Sequence, residues 1–227
     1  MNFDSIGYLL LIGIVVGFVV VSQVFSRKKI KQQADFLSKK LDEFGPRLSL
    51  EFPALHNMKM GSSAARYEPE LLEARQFSLN KNKAYWVMAT YYHGKAPALV
   101  LFLLVDVEKS FPSWVLGSTY DDGMVEMGAD EYSADESIKK YTDGVLGEVS
   151  AVLMSSQEIE SKIKQALLNV SQEELNSLMK AALSVECFNQ YILVSFYFND
   201  PTNLTEEYFS KMQRLAEIAT TQILPVL

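Results

Sequence analysis

The stretch AYWVMATYYHGKAPALVLFLLVDV, at residues 84–107, decides the fold. Its first nine residues are rich in aromatic and β-branched side chains, which favour strands. The HGKAP segment at 93–97 carries the Gly and Pro typical of a turn. The run at 98–107 is almost continuously apolar, as in a strand that packs on both sides. The stretch therefore predicts a β-hairpin whose second strand is buried on both faces.

Further strands are predicted after the hairpin. SWVLGSTY at 113–120 is a third candidate strand, and residues 143–154 form either another strand or the start of a helix. QYILVSFYF at 190–198 has the strongest strand pattern in the chain. We interpret Trp86 and Trp114 as core aromatic residues of the hairpin region.

Capping signals predict three helices in the C-terminal third. Each begins at a Ser or Asn that is followed three residues later by Glu, the spacing in which the two residues satisfy each other's free backbone donors. The predicted helices with their caps are 157–168 with Ser155 and Glu158, 172–183 with Ser171 and Glu174, and 204–223 with Asn203 and Glu206. The last of them carries an apolar stripe that includes Tyr208 and Met212.

Strands come first in this part of the chain, and helices with one returning strand come last. This order is typical of an antiparallel sheet covered on one face by helices. We therefore expect an α+β fold, in which an antiparallel sheet packs with C-terminal helices. An N-terminal transmembrane helix and an amphipathic juxtamembrane helix are expected to precede it.

The transmembrane prediction rests on the apolar N-terminal stretch. Twenty residues from Ile6 to Phe25 carry no charge, and as a helix they would rise about 30 Å, the thickness of a bilayer core. A secretory signal would need positive charge before the apolar run and small residues at a cleavage site, whereas Asp4 precedes this one. Val and Ile cover every face, which disfavours a helix in a water-soluble core. We predict a membrane span at 6–26.

Four basic residues follow this span directly: Arg27, Lys28, Lys29 and Lys31. Positive residues near a span remain on the cytoplasmic side. The N-terminus is therefore expected outside and the rest of the chain in the cytoplasm. The same four residues form a predicted membrane-surface site, because anionic lipid head groups attract juxtamembrane Lys and Arg.

The segment 28–44 is rich in helix formers. Its apolar residues are spaced by four and three in turn, which gives one stripe with Phe36 outside it, and FGP at 44–46 ends the helix. The stripe consists of Ile30, Ala34, Leu37, Leu41 and Phe44. Two heptads are too few to indicate a coiled coil. The helix is expected to lie on the membrane or on the domain, with self-pairing as the alternative.

Two glycines in the apolar stretch, Gly13 and Gly17, are four residues apart and share one helix face. Small residues at this spacing let a second helix approach closely in lipid. We expect these glycines to let the spans of two copies pack together, which would make the protein a homodimer.

The chain is thereby divided into five parts. These are a short extracytoplasmic N-terminus at 1–5, the transmembrane helix at 6–26, the basic amphipathic helix at 27–45, a connector at 46–80 with a possible short helix in PELLEARQF, and a cytoplasmic α+β domain at 81–227.

Composition limits the classes of function. The net charge of −7 makes nucleic acid an improbable partner, since nucleic-acid-binding domains are basic. The sequence contains neither the G-x-x-x-x-G-K-[ST] motif nor the G-x-G-x-x-G motif, both of which bind phosphate groups of nucleotides. We therefore expect no cofactor. The single cysteine, Cys187, excludes internal disulfides and is interpreted as a buried apolar residue. Two histidines offer little material for His-based catalysis or a His-rich metal site.

An acidic stretch lies at 120–136. Its spacing does not match an EF-hand, so a solvated loop is favoured over a divalent-cation site. A docking patch for a basic partner is the other interpretation. The acidic residues are Asp121, Asp122, Glu126, Asp130, Glu131, Asp135 and Glu136.

No catalytic spacing is recognisable, so an interaction protein is favoured over an enzyme. We expect a single-pass membrane protein whose cytoplasmic domain recruits or organises a protein partner. The alternative is a membrane-tethered enzyme or small-ligand sensor whose site lies between the sheet and the last helix.

Overall fold

The computed structural model describes residues 27–48, 70–93, 96–118, 139–141, 151–182, 184–197 and 204–227. Within them the chain is α+β, with an antiparallel sheet and packed helices, as the sequence predicts. The predicted span at 6–26, with Gly13 and Gly17, and the acidic residues at 121–136 lie outside the described ranges. In the described part of the chain, no helix has the length and apolar character to cross a membrane.

Seven strands and four helices are described. The strands are β1 (Arg47–Leu48), β2 (Glu70–Leu79), β3 (Asn82–His93), β4 (Ala96–Ser118), β5 (Lys139–Tyr141), β6 (Ala151–Ser155) and β7 (Ser184–Tyr197). The helices are α1 (27–41), α2 (Gln157–Leu167), α3 (Gln172–Met179) and α4 (Glu206–Ile218). A 3-10 turn at Asp42–Phe44 extends α1, and short turns to Val226 extend α4.

Strand β4 is the centre of the sheet. It pairs with β7 from Val100 to Gly117, while its other edge pairs first with β3 and then with β6. The β3–β4 hairpin is confirmed, with Ala84 opposite Val105 and His93 opposite Ala96. The third strand predicted at 113–120 is instead the last part of β4, which runs without a break to Ser118.

The sheet is buried on both sides around β4. Alternate residues from Leu99 to Val105 belong to two separate apolar clusters, and all are at most 5% exposed. The main cluster also contains the apolar faces of all four helices, together with Trp86 and Trp114, which are fully buried as predicted. The described helices thus cover one face of the sheet. The residues of the second apolar cluster on the opposite face are buried as well.

The β4–β7 ribbon is sharply bent. The hydroxyl oxygens of Ser184 and Ser195 are 2.7 Å apart, although eleven residues of extended strand would span about 36 Å. The bend coincides with register shifts in β4 between Asp106 and Trp114, where the pairing with β7 is irregular. Glu108 has a left-handed backbone, with φ of 60°, at this bend.

Glu186 lies beside the two serines and should make stability depend on pH. Burial raises the pKa of its carboxyl above 4.5, and the hydrogen bond donated by Ser184 at 2.6 Å opposes this only in part. The residue as a whole keeps partial exposure, whereas its carboxyl group is enclosed. A raised folded-state pKa stabilises the fold fully below the unfolded pKa, and the contribution is lost as pH rises through the folded value.

We therefore expect Glu186→Gln to gain free energy of unfolding relative to the wild type as pH rises from 4 to 8. Urea titrations of both proteins across this range measure the difference, with exposed Glu173→Gln as the control. A difference that does not change with pH would contradict the assignment.

The C-terminal helices begin close to their predicted positions, but two caps differ. The Ser171 hydroxyl accepts a hydrogen bond from the backbone N–H of Glu174 at 3.1 Å, as predicted. Ser155 is the last residue of β6, so Ser156 takes the N-cap position of α2 instead. Thr205 takes the N-cap position of α4 without a side-chain capping hydrogen bond, and Asn203 lies outside the described residues.

Strand β2 corrects the prediction of a short helix in PELLEARQF. Its residues Glu70–Leu79 pair antiparallel with β3 and account for ten of the last eleven residues of the predicted connector. Asn80 and Lys81, with φ of 49° and 72°, form the tight two-residue turn that fits the twist of a hairpin. Sheet pairing therefore overrides the helix propensity of Leu, Glu, Ala and Arg in this stretch.

Candidate functional site

A cavity of about 560 Å³ lies between the first three turns of α1 and the sheet formed by β1, β2 and β3. The lining residues are Arg27, Ile30, Lys31, Ala34, Asp35, Ser38, Arg47, Leu72, Glu73, Met88 and Thr90.

The apolar stripe of α1 explains why the cavity forms. Leu37 and Leu41, near the C-terminal end of the helix, are fully buried in the main core. Ala34 and Ile30, respectively one and two turns earlier, are only partly buried and line the cavity. The helix therefore packs on the domain through its C-terminal half, as one of the predicted alternatives has it, and leaves a space beneath its N-terminal half.

Gly45 ends the helical segment where the chain turns towards β1. Its φ is 142°, and a Cβ atom there would lie 2.5 Å from the backbone oxygen of Gln76 in β2. Only glycine fits such a close approach to a neighbouring backbone. The FGP signal at 44–46 is thus confirmed as the end of the helix.

An irregularity in β2 supplies the cavity floor. Leu71 pairs with Ala89 and Glu73 pairs with Met88, so Leu72 has no partner of its own in the ladder. Such a bulge re-aims side chains, and bulges are common next to functional sites. Here both Leu72 and Glu73 reach the cavity.

Glu73 carries a buried negative charge at this floor. The residue is 3% exposed, and its Oε2 accepts a hydrogen bond from the Ser38 hydroxyl at 2.8 Å. Arg47 Nε lies 3.5 Å from the same oxygen. The carboxylate thereby joins α1, β1 and β2.

Arg75, two residues further along β2, compensates this charge. It is 2% exposed, and its Nη2 lies 2.7 Å from Glu73 Oε1 and 2.7 Å from Asp42 Oδ1. The contact with Asp42 is a hydrogen bond, whereas the contact with Glu73 is an ion pair whose geometry leaves Oε1 without a hydrogen bond. Arg75 Nε and Nη1 also lack partners, so the pair is incompletely satisfied.

Other contacts hold the C-terminal end of α1 on the domain. Lys40 donates a hydrogen bond to the backbone oxygen of Leu204, just before α4. Phe44 packs against the rings of Phe77, Trp86 and Phe209 with centroid distances between 5.0 and 6.1 Å. Aromatic pairs at these distances add to the stabilisation from burial alone.

The predicted membrane-surface residues divide into two groups. Arg27, Lys28, Lys29 and Lys31 are all exposed on the first turns of α1. Only Arg27 and Lys31 line the cavity, and no carboxylate of the described residues pairs with either of them. Lys28 and Lys29 lie outside the lining.

Cys187 is a buried apolar residue in the structure, as the sequence predicts. It is 2% exposed within the main core, and burial raises the pKa of its thiol to about 12. A thiol that remains protonated is a poor nucleophile. Within the described ranges, no three His, Cys, Asp or Glu residues come together in a group that could hold a metal ion.

Sequence reasoning missed most of the cavity. It identified Arg27 and Lys31, as membrane-surface residues, but not Ser38, Arg47, Glu73 or Thr90. Glu73 and Arg75 did carry a signal, since charges two apart in a strand share one face. That signal was hidden because their segment was interpreted as a connector with a short helix.

No protein-family model matches the sequence, and no curated protein matches it. Among solved structures, the chain is similar to the crystal structure of the mycobacterial trehalose monomycolate transport factor A, TtfA. The TM-score is 0.50 at 8% identity, over 77% of this chain and 83% of that chain. At this identity, the likeness shows the fold alone.

Proposed function

We propose that this protein is a single-pass membrane protein that presents its α+β domain at the cytoplasmic surface, where the domain recruits or organises a protein partner. The observation that carries the proposal is the position of α1. This helix follows the apolar stretch 6–26 directly, and its residues Leu37 and Leu41 are fully buried in the domain core.

Because α1 is part of the core, it is not a free linker. A flexible tether would let the domain move far from the bilayer, whereas a packed helix keeps the domain next to the segment that precedes it. The contacts of Ser38 with Glu73 and of Asp42 with Arg75 add polar links between α1 and β2. A domain held in this way has a fixed orientation, which suits the alignment of a partner along the membrane.

The charges on α1 agree with a position at the inner leaflet. Arg27, Lys28, Lys29 and Lys31 are exposed together at the end of the helix nearest the apolar stretch. Each basic residue near an anionic surface contributes about 1 kcal/mol of attraction before screening. The remainder of the chain is acidic, so this attraction favours one end of the molecule over the others.

A membrane-tethered small-ligand sensor is the second candidate, favoured by the cavity under α1. A concave site with a few converging polar groups is the usual form of a small-molecule site. This cavity lies beneath the first helix of the domain, not beside the last one. The neighbour TtfA is described as a transport factor, and its likeness supports the fold rather than either function.

Thiol labelling in intact cells tests the proposal. Leu168→Cys places a thiol at a position that is 83% exposed, and Asn2→Cys places one in the predicted external terminus. A membrane-impermeant maleimide should label Asn2→Cys in intact cells or spheroplasts, but Leu168→Cys only after permeabilisation.

The wild type is the control, because Cys187 is buried and should remain unlabelled in both conditions. Labelling of Leu168→Cys on intact cells would show that the domain lies outside, opposite to the proposed orientation. Release of the protein from membranes by high salt would disprove the anchor.

A further inference from the structure

We propose that the solvent-facing side of α1 lies flat on an anionic lipid surface, so that the helix is held between the domain on one side and the membrane on the other. This contact deepens the proposed function and rests on its anchored state, because it states how the anchored domain meets the bilayer. The sequence offered the membrane and the domain as alternative positions for α1, whereas opposite faces of one helix can contact both.

The two sides of α1 differ in their surroundings. Leu37 and Leu41 are fully buried against the domain, and Ile30 and Ala34 line the cavity on the same side. At 3.6 residues per turn, five exposed residues lie within an arc of about 100° on the opposite side. This outer face consists of Lys28, Lys29, Gln32, Phe36 and Lys39.

The outer face has the composition of a helix that lies at a lipid interface. Phe36 is 38% exposed although it is a large aromatic residue, and lysines precede and follow it on the same face. Helices of this kind combine Lys or Arg with an aromatic residue that enters the boundary between head groups and acyl chains. Long lysine stems can lie along apolar surface while their ammonium groups reach the head groups. A single helix face can therefore make both kinds of contact with lipid.

Charge makes α1 the part of the molecule that an anionic surface attracts. Residues 27–44 contain six Lys or Arg and three Asp or Glu, and Asp42 among the latter is paired with Arg75. Because this segment carries +3 and the whole chain carries −7, the remaining residues carry −10. The exposed Glu206 and Glu207 at the start of α4 would be repelled, which confines the contact to α1.

The position of α1 in the chain favours lipid over an acidic protein as the occupant of the outer face. The apolar stretch 6–26 ends directly before Arg27, so a bilayer that holds this stretch lies within reach of the whole helix. Phe36 is ten residues beyond the stretch, or about 15 Å along a helix axis. Its ring therefore reaches the lipid only if α1 runs along the surface instead of standing upright on it.

Energy transfer to the lipid surface distinguishes the two orientations. Gln32→Cys and Glu43→Cys each place a fluorescent donor on an exposed residue of the full chain, while buried Cys187 remains unlabelled. The acceptor is a dye on the lipid head groups of nanodiscs, which contain phosphatidylcholine either alone or with phosphatidylglycerol. The two donor sites are eleven residues apart, about 16 Å along the helix.

In the anionic discs we expect both donors at the same distance from the head groups, to within about 5 Å, the radius of a helix. Donor lifetimes then give the ratio of docked to undocked protein. This ratio should fall in phosphatidylcholine alone and at high salt, because salt screens the attraction.

Matched variants separate the outer face from general effects of mutation. Phe36→Ser and Lys39→Glu should each lower the ratio about fivefold or more, since each removes an apolar or electrostatic contact with the lipid. Tyr208→Ser removes an aromatic residue of the same 38% exposure from α4, and Lys162→Glu makes the same charge change on exposed α2. Both controls should remain within about twofold of the wild type.

A donor at Glu43 that lies about 16 Å further from the lipid than the donor at Gln32 would overturn the proposal and leave an acidic protein surface as the occupant. Equal effects of Phe36→Ser and Tyr208→Ser, or docking that is indifferent to phosphatidylglycerol and salt, would also overturn it. An upright helix would leave the anchored domain of the proposed function intact. Conversely, thiol labelling that places the domain outside would not alter the distances in nanodiscs, so the two failures are distinguishable.

Discussion

Arg75→Met should lower the free energy of unfolding by about 3–5 kcal/mol, because it leaves the buried carboxylate of Glu73 without its main counter-charge. Glu73 and Arg75 are both about 3% exposed, so water cannot replace the lost partner. Arg47 remains 3.5 Å from the carboxylate, but its exposure lets it compensate only in part. Urea denaturation of the full chain in mild detergent measures the effect.

Two further variants make this prediction specific. Glu73→Leu combined with Arg75→Met removes both charges and should recover much of the loss, since an apolar pair can replace a buried ion pair. Arg214→Met removes an arginine that pairs with Glu174 at 2.8 Å but is 43% exposed, and it should cost about 1 kcal/mol or less. A double variant less stable than Arg75→Met alone would contradict this account of the pair.

Leu37→Ala should cost about 2–5 kcal/mol, the usual range for truncating a fully buried leucine. The loss has two parts, which are the transfer of the side chain to water and the cavity left between α1 and the sheet. Phe36→Ala is the matched control, because Phe36 is the adjacent residue, is larger and is 38% exposed. Lys40 Nζ lies 5.2 Å from the centroid of its ring, and such a cation–π contact at an exposed site is weak, so removal of the ring should cost about 1 kcal/mol or less. Equal losses for the two variants would mean that α1 is not packed as described.

The elements that the sequence predicts well are those in which the spacing of apolar residues clearly indicates a strand or a helix. The β3–β4 hairpin has aromatic and branched residues before the HGKAP segment and an apolar run after it, and the Ser171 hydroxyl caps α3 as expected. Helix α1 was recognisable because its apolar stripe residues recur alternately four and three residues apart in a segment rich in helix formers. In these places local preference and tertiary packing agree.

The elements that were missed are those where buried polar groups break the pattern. In β2, Glu73 and Arg75 occupy inward positions, so no apolar alternation is visible in a stretch of strong helix formers. In β4, the charged residues near Glu108 resemble a turn, although they form a bend inside one strand. The Glu73–Arg75 pair belongs to the cavity region, which is why the site and the missed strand coincide.

The central claim is that α1 joins the domain rigidly to the apolar stretch that precedes it, and a distance measurement in lipid tests it most directly. Spin labels on Lys29→Cys and Lys162→Cys would report from the exposed start of α1 and from exposed α2, while buried Cys187 remains unlabelled. In full-length protein in nanodiscs, double electron–electron resonance should give one narrow distance distribution. The distribution should broaden when Leu37→Asp is added, because a charge in the core detaches the helix. A broad distribution in the protein without Leu37→Asp would contradict the account, since α1 would then be a flexible linker and the domain would have no fixed position at the membrane.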